Sequence, residues 1–312
     1  GLRFCPNCGE ALEIGAHLEG YTLSLDGNIG VNFYMALSDD VINDPDAYMQ
    51  FTLPDGTIKT LHTYEAYPDT SMDQHTTYYV FSCGVLSSQM TGKIRAQLFD
   101  GEGNSSKEYT YSVAEYAEYL LSHKEDYNES DINLVKALLN LGATSQIYFN
   151  GNKNNLANSI LSDDDKNVPI LDASALEQYK SVNTKRQLGE FVGFDLMLKS
   201  KTTLNLYFKP AENIDIDSID FTVNDTYFMP IPYGDYYCIP FEGLKAWELD
   251  KTFTFSATSK QDKSISSTIQ CSAMSYCYNV LRDYGKTYSD KLKTSVSALR
   301  AFNEAAKVRQ QG

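Results

Sequence analysis

The stretch Tyr111–Phe149, YSVAEYAEYLLSHKEDYNESDINLVKALLNLGATSQIYF, decides the fold. It predicts two amphipathic helices joined by a polar loop. In the first helix, apolar residues recur at the spacing of one helix face. These residues are Val113, Tyr116, Ala117 and Leu120. Ser112 is the expected N-cap, and Glu115 three residues later completes a capping box.

The second helix is predicted to begin after Asn128 or Ser130 and to carry an apolar face of its own. That face comprises Leu134, Ala137, Leu138, Leu141 and Ser145. Both helices must bury their apolar faces to be stable. The nearest apolar segment in the sequence comes immediately before them, so we expect this helical hairpin to cap that segment.

A weaker copy of the helical pair closes the chain at Cys271–Arg309, and each copy follows a run of strand-like segments. In the first run, alternating apolar residues and the turn sequence Pro54-Asp55-Gly56-Thr57 predict about seven short strands. Short, evenly spaced strands without helices between them are typical of an antiparallel sandwich.

Matches at constant spacing indicate an internal duplication. Five residues recur 173 positions later: Gly20, Leu23, Leu25, Asn32 and Tyr34 correspond to Gly193, Leu196, Leu198, Asn205 and Tyr207. Later matches, such as Ser112 with Ser272, have a shorter offset. The offset changes only inside predicted loops, where changes in length are tolerated. One module is therefore predicted to occur twice.

The predicted fold class is mainly β with α (α+β). It consists of two tandem Ig-like antiparallel β-sandwich modules, each followed by a packed two-helix hairpin. The predicted boundaries are 1–16 for the remnant of a Cys-containing knuckle, 17–150 for module one (sandwich 17–111, hairpin 112–149), 151–188 for a linker with a short helix, and 189–312 for module two (sandwich 189–270, hairpin 271–309).

Composition narrows the classes of partner. The 41 acidic residues outnumber the 26 basic ones and give a formal net charge of −15. The basic residues are scattered, so we expect neither nucleic acid nor an anionic membrane as a partner. No run of about 18 apolar residues predicts a membrane span. The chain opens at Gly1 in mid-motif without a signal peptide, so we expect its natural start to lie upstream.

Two cysteines near the N-terminus form a C-x-x-C turn, Cys5-Pro-Asn-Cys8, that resembles half of a zinc knuckle. A structural zinc site needs four ligands, and His17 is the only nearby candidate for a third. The alternatives are a remnant of a zinc ribbon, a metal site within this chain, or a local disulfide or free thiols. Apart from this possible zinc, no cofactor is expected.

The other four cysteines are predicted to be small buried hydrophobic residues. They are Cys83, Cys238, Cys271 and Cys277. The sequence contains no nucleophile-elbow, zinc-protease or phosphate-loop pattern, and its four histidines are confined to the first half. We therefore expect no enzyme activity.

Aromatic residues are densest around Tyr227–Tyr237, with Trp247 shortly after. One interpretation is a strand–turn–strand whose rings face the core. The other is a platform on which a glycan or peptide stacks. The candidate ligand-binding residues are Tyr233, Tyr236, Tyr237 and Trp247.

Several stretches are similar to the large repetitive cell-surface proteins of Gram-positive clostridial gut bacteria. They are LDGNIGVNFYM, YMQFTLPDGT, YYVFSC and EYTYSVAEYAEYLL with LVKALLNLGATSQIYFN. In that family a segment such as CPNCGEALE belongs to preceding Cys-rich repeats. The resemblance covers residues 5–155 and reaches the second half only through the internal repeat. It implies a secreted, cell-wall-associated setting and supplies no catalytic residue.

These observations predict a non-enzymatic extracellular surface module of uncharacterised function that acts in adhesion, spacing or ligand display. A glycan or a protein is the expected ligand, and oligomeric state is left open. The first alternative is a carbohydrate-binding module, which requires exposed Tyr or Trp rings in a row. The second is an accessory domain of a secreted hydrolase, which requires a cleft lined by paired acids.

Overall fold

The computed structural model describes residues 14–71 and 75–311 of the chain. This part is β-rich α+β, with four antiparallel sheets and several helices. The chain divides into two compact units. The first holds the stretch ending at Ser24 together with Gly30–Val85 and Gln89–Tyr119. The second holds Leu25–Ile29, Leu86–Ser88 and everything from Leu120 onward.

The first unit is a β-sandwich. Its strands are β1 (Ala16–Ser24), β2 (Gly30–Leu37), β3 (Tyr48–Thr52), β4 (Ile58–His62), β5 (Tyr67–Asp69), β6 (Tyr78–Gly84), β7 (Ile94–Phe99) and β8 (Tyr109–Tyr111). One sheet has the order β1-β2-β6-β5 and the other β4-β3-β7-β8. Phe33 of β2 and Phe51 of β3, both buried, pack 5.5 Å apart across the interior.

The second unit contains another sandwich. Its strands are β9 (Val182–Arg186), β10 (Gly189–Leu198), β11 (Thr202–Pro210), β12 (Ile219–Val223), β13 (Thr226–Phe228), β14 (Ile231–Tyr233), β15 (Tyr236–Glu242), β16 (Phe253–Ser259) and β17 (Ser266–Cys271). The sheets run β10-β11-β15-β14 and β13-β12-β16-β17-β9. Phe208 and Phe221, from opposite sheets, meet at 5.3 Å in the buried interior.

The two sandwiches have corresponding strand orders. Matching β1 with β10, and so on in sequence, makes the first sheets identical in order, while β9 is an addition to the second sheet. A register irregularity falls between Leu18 and Gly20 in the pairing of β1 with β2. The equivalent irregularity falls between Phe191 and Gly193 in the pairing of β10 with β11. Both pairs of residues are 173 positions apart, which is the sequence offset noted above.

Strand β9 lies inside segment 151–188, which was predicted from the sequence to be a linker. It pairs antiparallel with β17, so its backbone hydrogen-bonds to the edge of the sandwich. Before it come a short helix and a 3-10 helix, Ala173–Tyr179. The strand was missed because four of its five residues, VNTKR, are polar and give no alternating apolar signal.

The α-helices are α1 (Asp39–Ile42), α2 (Val113–Ser122), α3 (Glu129–Tyr148), α4 (Asp163–Lys166), α5 (Ala273–Leu281) and α6 (Asp290–Gln311). The predicted start of α2 is confirmed. The Ser112 hydroxyl accepts a hydrogen bond from the Glu115 amide at 3.1 Å and donates to its carboxylate at 3.0 Å. Asn128 caps α3, and Ser272 caps α5. Within residues 14–71 and 75–311, no helix is long and apolar enough to cross a lipid bilayer.

The expectation that α2 and α3 together cap the first sandwich needs correction. Helix α3 belongs to the second unit, where it packs along α6. The two helices are antiparallel, since Asp131 near the start of α3 pairs at 2.9 Å with Arg309 near the end of α6. The physical reason is length. Helices of 20 and 22 residues offer each other a longer apolar stripe than the shorter α2 can offer.

Candidate functional site

The Cys5 and Cys8 pair lies outside the described residues, so its proposed zinc site is not placed by the structure. His17, the suggested third ligand, is the second residue of β1 and lies 3.8 Å from the Glu19 carboxylate. Among the described residues, no group of three or more His, Cys, Asp or Glu side chains could hold a metal ion.

The four predicted aromatic residues do not form one platform. Tyr233 and Tyr236 are direct cross-strand partners at one end of β15, and their side chains are 61% and 36% exposed. Tyr237 is opposite the fully buried Phe208, which places it on the inner side of the sheet. Trp247 follows the other end of β15, about 20 Å away along a strand of this length. A Lys245 ammonium lies 5.5 Å from the centre of its ring.

A polar network that was not predicted from the sequence lies on the outer side of the sheet β10-β11-β15-β14. Asp195 and Asn205 are cross-strand partners, and the Asn205 amide donates to the carboxylate at 2.9 Å. The Tyr207 hydroxyl donates to the other carboxylate oxygen at 2.6 Å. The Tyr207 ring lies 5.2 Å from that of Tyr233 at a tilt of 50°. This network therefore connects an exposed ring on β14 to a carboxylate on β10, three strands away in the sheet.

Electrostatics mark Asp195 as an uncompensated charge. Both of its hydrogen-bond donors are neutral, and it makes no ion pair with the part of the chain that the structure describes. Burial, the hydrogen bond to Asp195 and the carboxylate's charge together raise the pKa of the Tyr207 hydroxyl. Burial, with a smaller contribution from the same charge, also raises the pKa of Tyr276 on α5.

Asp195 also lines a cavity of about 590 Å³ within the second unit. The end of β10, the C-terminal half of α3, α5 and the N-terminal half of α6 form its walls, together with Leu86–Ser88. Most of the wall is apolar: Leu86, Leu141, Leu198, Leu292, Val296 and Leu299. Small-molecule sites typically have such volumes, apolar walls and a few well-placed polar groups.

One of the corresponding residues in the first sandwich differs in chemistry. Thr22 and Asn32 are the cross-strand partners there, and the Asn32 amide donates to the Thr22 hydroxyl at 3.0 Å. Thr22 lies 173 positions before Asp195, as Asn32 does before Asn205. The amide is therefore kept in both modules, while the carboxylate is present only in the second.

Neither a protein-family model nor a curated protein sequence matches this chain.

The cysteines provide a test of the outer face of the sheet β10-β11-β15-β14. Cys238 is opposite Tyr207 on that face and is half-buried, whereas Cys83, Cys271 and Cys277 are buried. Burial raises the pKa of Cys83 and of Cys277 to about 12. Burial, and then the Asp195 charge, also raises the pKa of Cys238.

In the native chain, we expect iodoacetamide to alkylate Cys238 before the three buried cysteines, because the reagent can reach it. Its rate should increase by about tenfold per pH unit while the pH stays below its pKa, since only the thiolate reacts. Asp195→Asn should accelerate the reaction by removing the charge that disfavours the thiolate. Peptide mass spectrometry over a time course measures each site. Equal rates at Cys238 and Cys277 would contradict the burial described here.

Proposed function

We propose that the chain is a non-enzymatic recognition module of an extracellular, cell-wall-associated surface protein and that it acts in adhesion or ligand display. One observation carries this proposal. An edge of the second sandwich leaves a run of large apolar side chains in water. This apolar edge consists of Tyr227, Met229, Ile231 and Tyr233, which are 70%, 85%, 53% and 61% exposed.

The apolar edge occupies two consecutive edge strands. Strand β13 ends one sheet and β14 ends the other, so the segment that joins them runs along the side of the sandwich. Scattered apolar residues are normal on a protein surface, but four within seven consecutive positions form a patch. Pro230 and Pro232 remove backbone donors there, which discourages strand-to-strand aggregation. Contact with a partner through side chains is the use that this combination favours.

We also propose that the two sandwiches arose by duplication of one Ig-like module. Their corresponding strand orders and the irregularity repeated at Gly20 and Gly193 support this. Tandem modules of this kind suit a surface protein because they extend the chain and present loops and edges repeatedly. The resemblance to clostridial surface proteins favours the same setting.

The test uses beads coated with the chain and passed over immobilised mucin under flow. We expect the edge variant, with Tyr227→Ser, Met229→Ser, Ile231→Thr and Tyr233→Ser, to lose at least about fivefold in bead retention, because central apolar contacts dominate binding energy. The control variant, Ile58→Thr with Tyr67→Ser, removes side chains that are 60% and 69% exposed elsewhere and should retain binding. Full retention by the edge variant would overturn the proposal.

Carbohydrate binding is the second candidate. It is favoured by the exposed Tyr233 and Tyr236 rings beside the polar network at Tyr207, since sugars combine ring stacking with hydrogen bonds to planar groups. Periodate oxidation of the mucin separates the two functions. Retention that survives oxidation indicates protein contact through the apolar edge. Retention lost on oxidation, together with binding on a glycan array, indicates carbohydrate binding.

A further inference from the structure

The cavity of the second unit contains a charge that its own walls do not neutralise. Asp195 lines it, and the two groups bonded to the carboxylate, Asn205 and Tyr207, are neutral donors. A carboxylate without a cation beside low-dielectric walls favours a positively charged ligand. Lys199 also lines the cavity but comes four residues later, just past the end of β10, about 13 Å from Asp195 along the extended backbone.

The remainder of the wall determines the body of the ligand. Side chains of α3 and α6, such as Leu141, Leu292 and Leu299, are apolar and cannot hydrogen-bond to a hydroxylated molecule. Tyr276 adds an aromatic ring near the carboxylate, which is suited to contact with either an apolar group or a cation. Where it contacts these leucines, a polyhydroxylated sugar would lose its water without replacement hydrogen bonds.

From this arrangement we propose that the cavity binds a small amphipathic amine, with the protonated nitrogen against Asp195 and an apolar body between α3 and α6. This site is distinct from the apolar edge and goes beyond the proposed function. It also assigns a role to the difference between the modules, because Thr22 at the corresponding position of the first sandwich carries no charge.

The experiment compares three probes of matched shape by isothermal titration calorimetry: 4-phenylbutylamine, 4-phenyl-1-butanol and 4-phenylbutyrate. We expect the amine to bind at least about tenfold more tightly than the neutral alcohol, because a charge-assisted hydrogen bond exceeds a neutral one by that amount. The carboxylate probe should bind most weakly. Equal affinity for all three probes would overturn the proposal.

Asp195→Asn keeps the shape of the side chain and should reduce amine affinity to that of the alcohol. Asp195→Thr, which installs the residue of the first sandwich, should do the same. Asp235→Asn is the matched control, since it removes one exposed charge from a turn of the same sheet without lining the cavity. Circular dichroism and thermal unfolding verify that each variant is folded. Unchanged amine affinity in both Asp195 variants, or an equal loss in Asp235→Asn, would refute the assignment.

The edge variant provides a separate comparison. A form of it that keeps Tyr233, with Tyr227→Ser, Met229→Ser and Ile231→Thr only, should bind the amine as the unmodified chain does. These three positions lie outside the cavity wall, and the Tyr233 ring, which lies against Tyr207, is retained. If bead retention does not depend on the apolar edge but the amine binds, only the proposed function fails. If the amine does not bind but bead retention depends on the apolar edge, only the cavity proposal fails.

Discussion

Replacing Asp250 with Asn is expected to lower the free energy of unfolding of the second unit by about 3 kcal/mol. The Asp250 side chain is only 10% exposed and accepts contacts from three other residues. Lys307 of α6 forms an ion pair with it, Arg300 lies 3.6 Å away, and the Tyr179 hydroxyl donates to it at 3.2 Å. The carboxylate thus connects α6 to the 3-10 helix Ala173–Tyr179.

The free energy of unfolding decreases because the substitution leaves the Arg300 guanidinium without its principal counter-charge. The Arg300 side chain is 14% exposed, and its guanidinium lies 5.3 Å from the centre of the Tyr179 ring. Without Asp250 its remaining carboxylate partner is Glu304 at 2.7 Å, which is 57% exposed and therefore screened by water. A buried cation that loses its principal counter-charge is destabilising by more than the pair itself contributes.

Urea unfolding followed by circular dichroism measures this effect. Asp163→Asn is the matched control, because it also removes an acidic partner of a lysine, but the Asp163 carboxylate is fully exposed and lies 3.6 Å from that lysine. That variant should remain within about 0.5 kcal/mol of the unmodified chain. Equal shifts of the unfolding midpoint in the two variants would show that the Asp250 cluster is no more than a surface ion pair.

Local features of the fold could be predicted from sequence because their causes are local. Ser112 and Glu115 are three residues apart, and the Glu115 amide donates to the Ser112 hydroxyl as a capping box requires, while the Glu115 carboxylate accepts from that same hydroxyl. The turn after β3 is likewise set by a short sequence, with Gly56 at φ +85° and the Thr57 amide donating to Asp55 at 2.9 Å.

The partner of α3 could not be predicted in this way. Periodicity showed an apolar face but not what covers it, and the observed buried set is wider than one stripe. The helix also buries Gln146, whose side chain donates to the carbonyls of Asn152 and Asn155 and accepts from the Ala157 amide. Such contacts, like the pairing of α3 with α6, join residues that have no periodic relation in the sequence.

The candidate site also combines features that the sequence can predict with features that only the pairing of strands creates. Aromatic density directed attention to Trp247, although the sheet places it far from Tyr233. Asp195, Asn205 and Tyr207 are single polar residues in apolar strands, and only the pairing of β10 with β11 brings them together. One signal was available: Asn205 and Tyr207 alternate with the buried Leu204, Leu206 and Phe208 and therefore share the outer face.

The second large effect is expected in the first sandwich, where Gly30→Ala should cost about 3 kcal/mol. Gly30 starts β2 and is opposite Gly84 of β6. A methyl group on its Cα would lie 2.0 Å from the Cys83 carbonyl oxygen and 2.7 Å from the Gly84 Cα. These are backbone atoms that cannot rotate away, so the two strands would have to separate. Val31 and Phe33, both fully buried, would then lose contacts.

Gly193→Ala is the matched control, because the same methyl group there meets no atom within 4 Å and the backbone is not left-handed. It should be neutral or stabilising by up to about 1 kcal/mol, since alanine reduces the entropy of the unfolded chain. Chemical unfolding gives both values, and hydrogen exchange at β2 and β6 should show faster opening in Gly30→Ala alone. A Gly30→Ala variant as stable as Gly193→Ala would mean that β2 and β6 do not approach as closely as described.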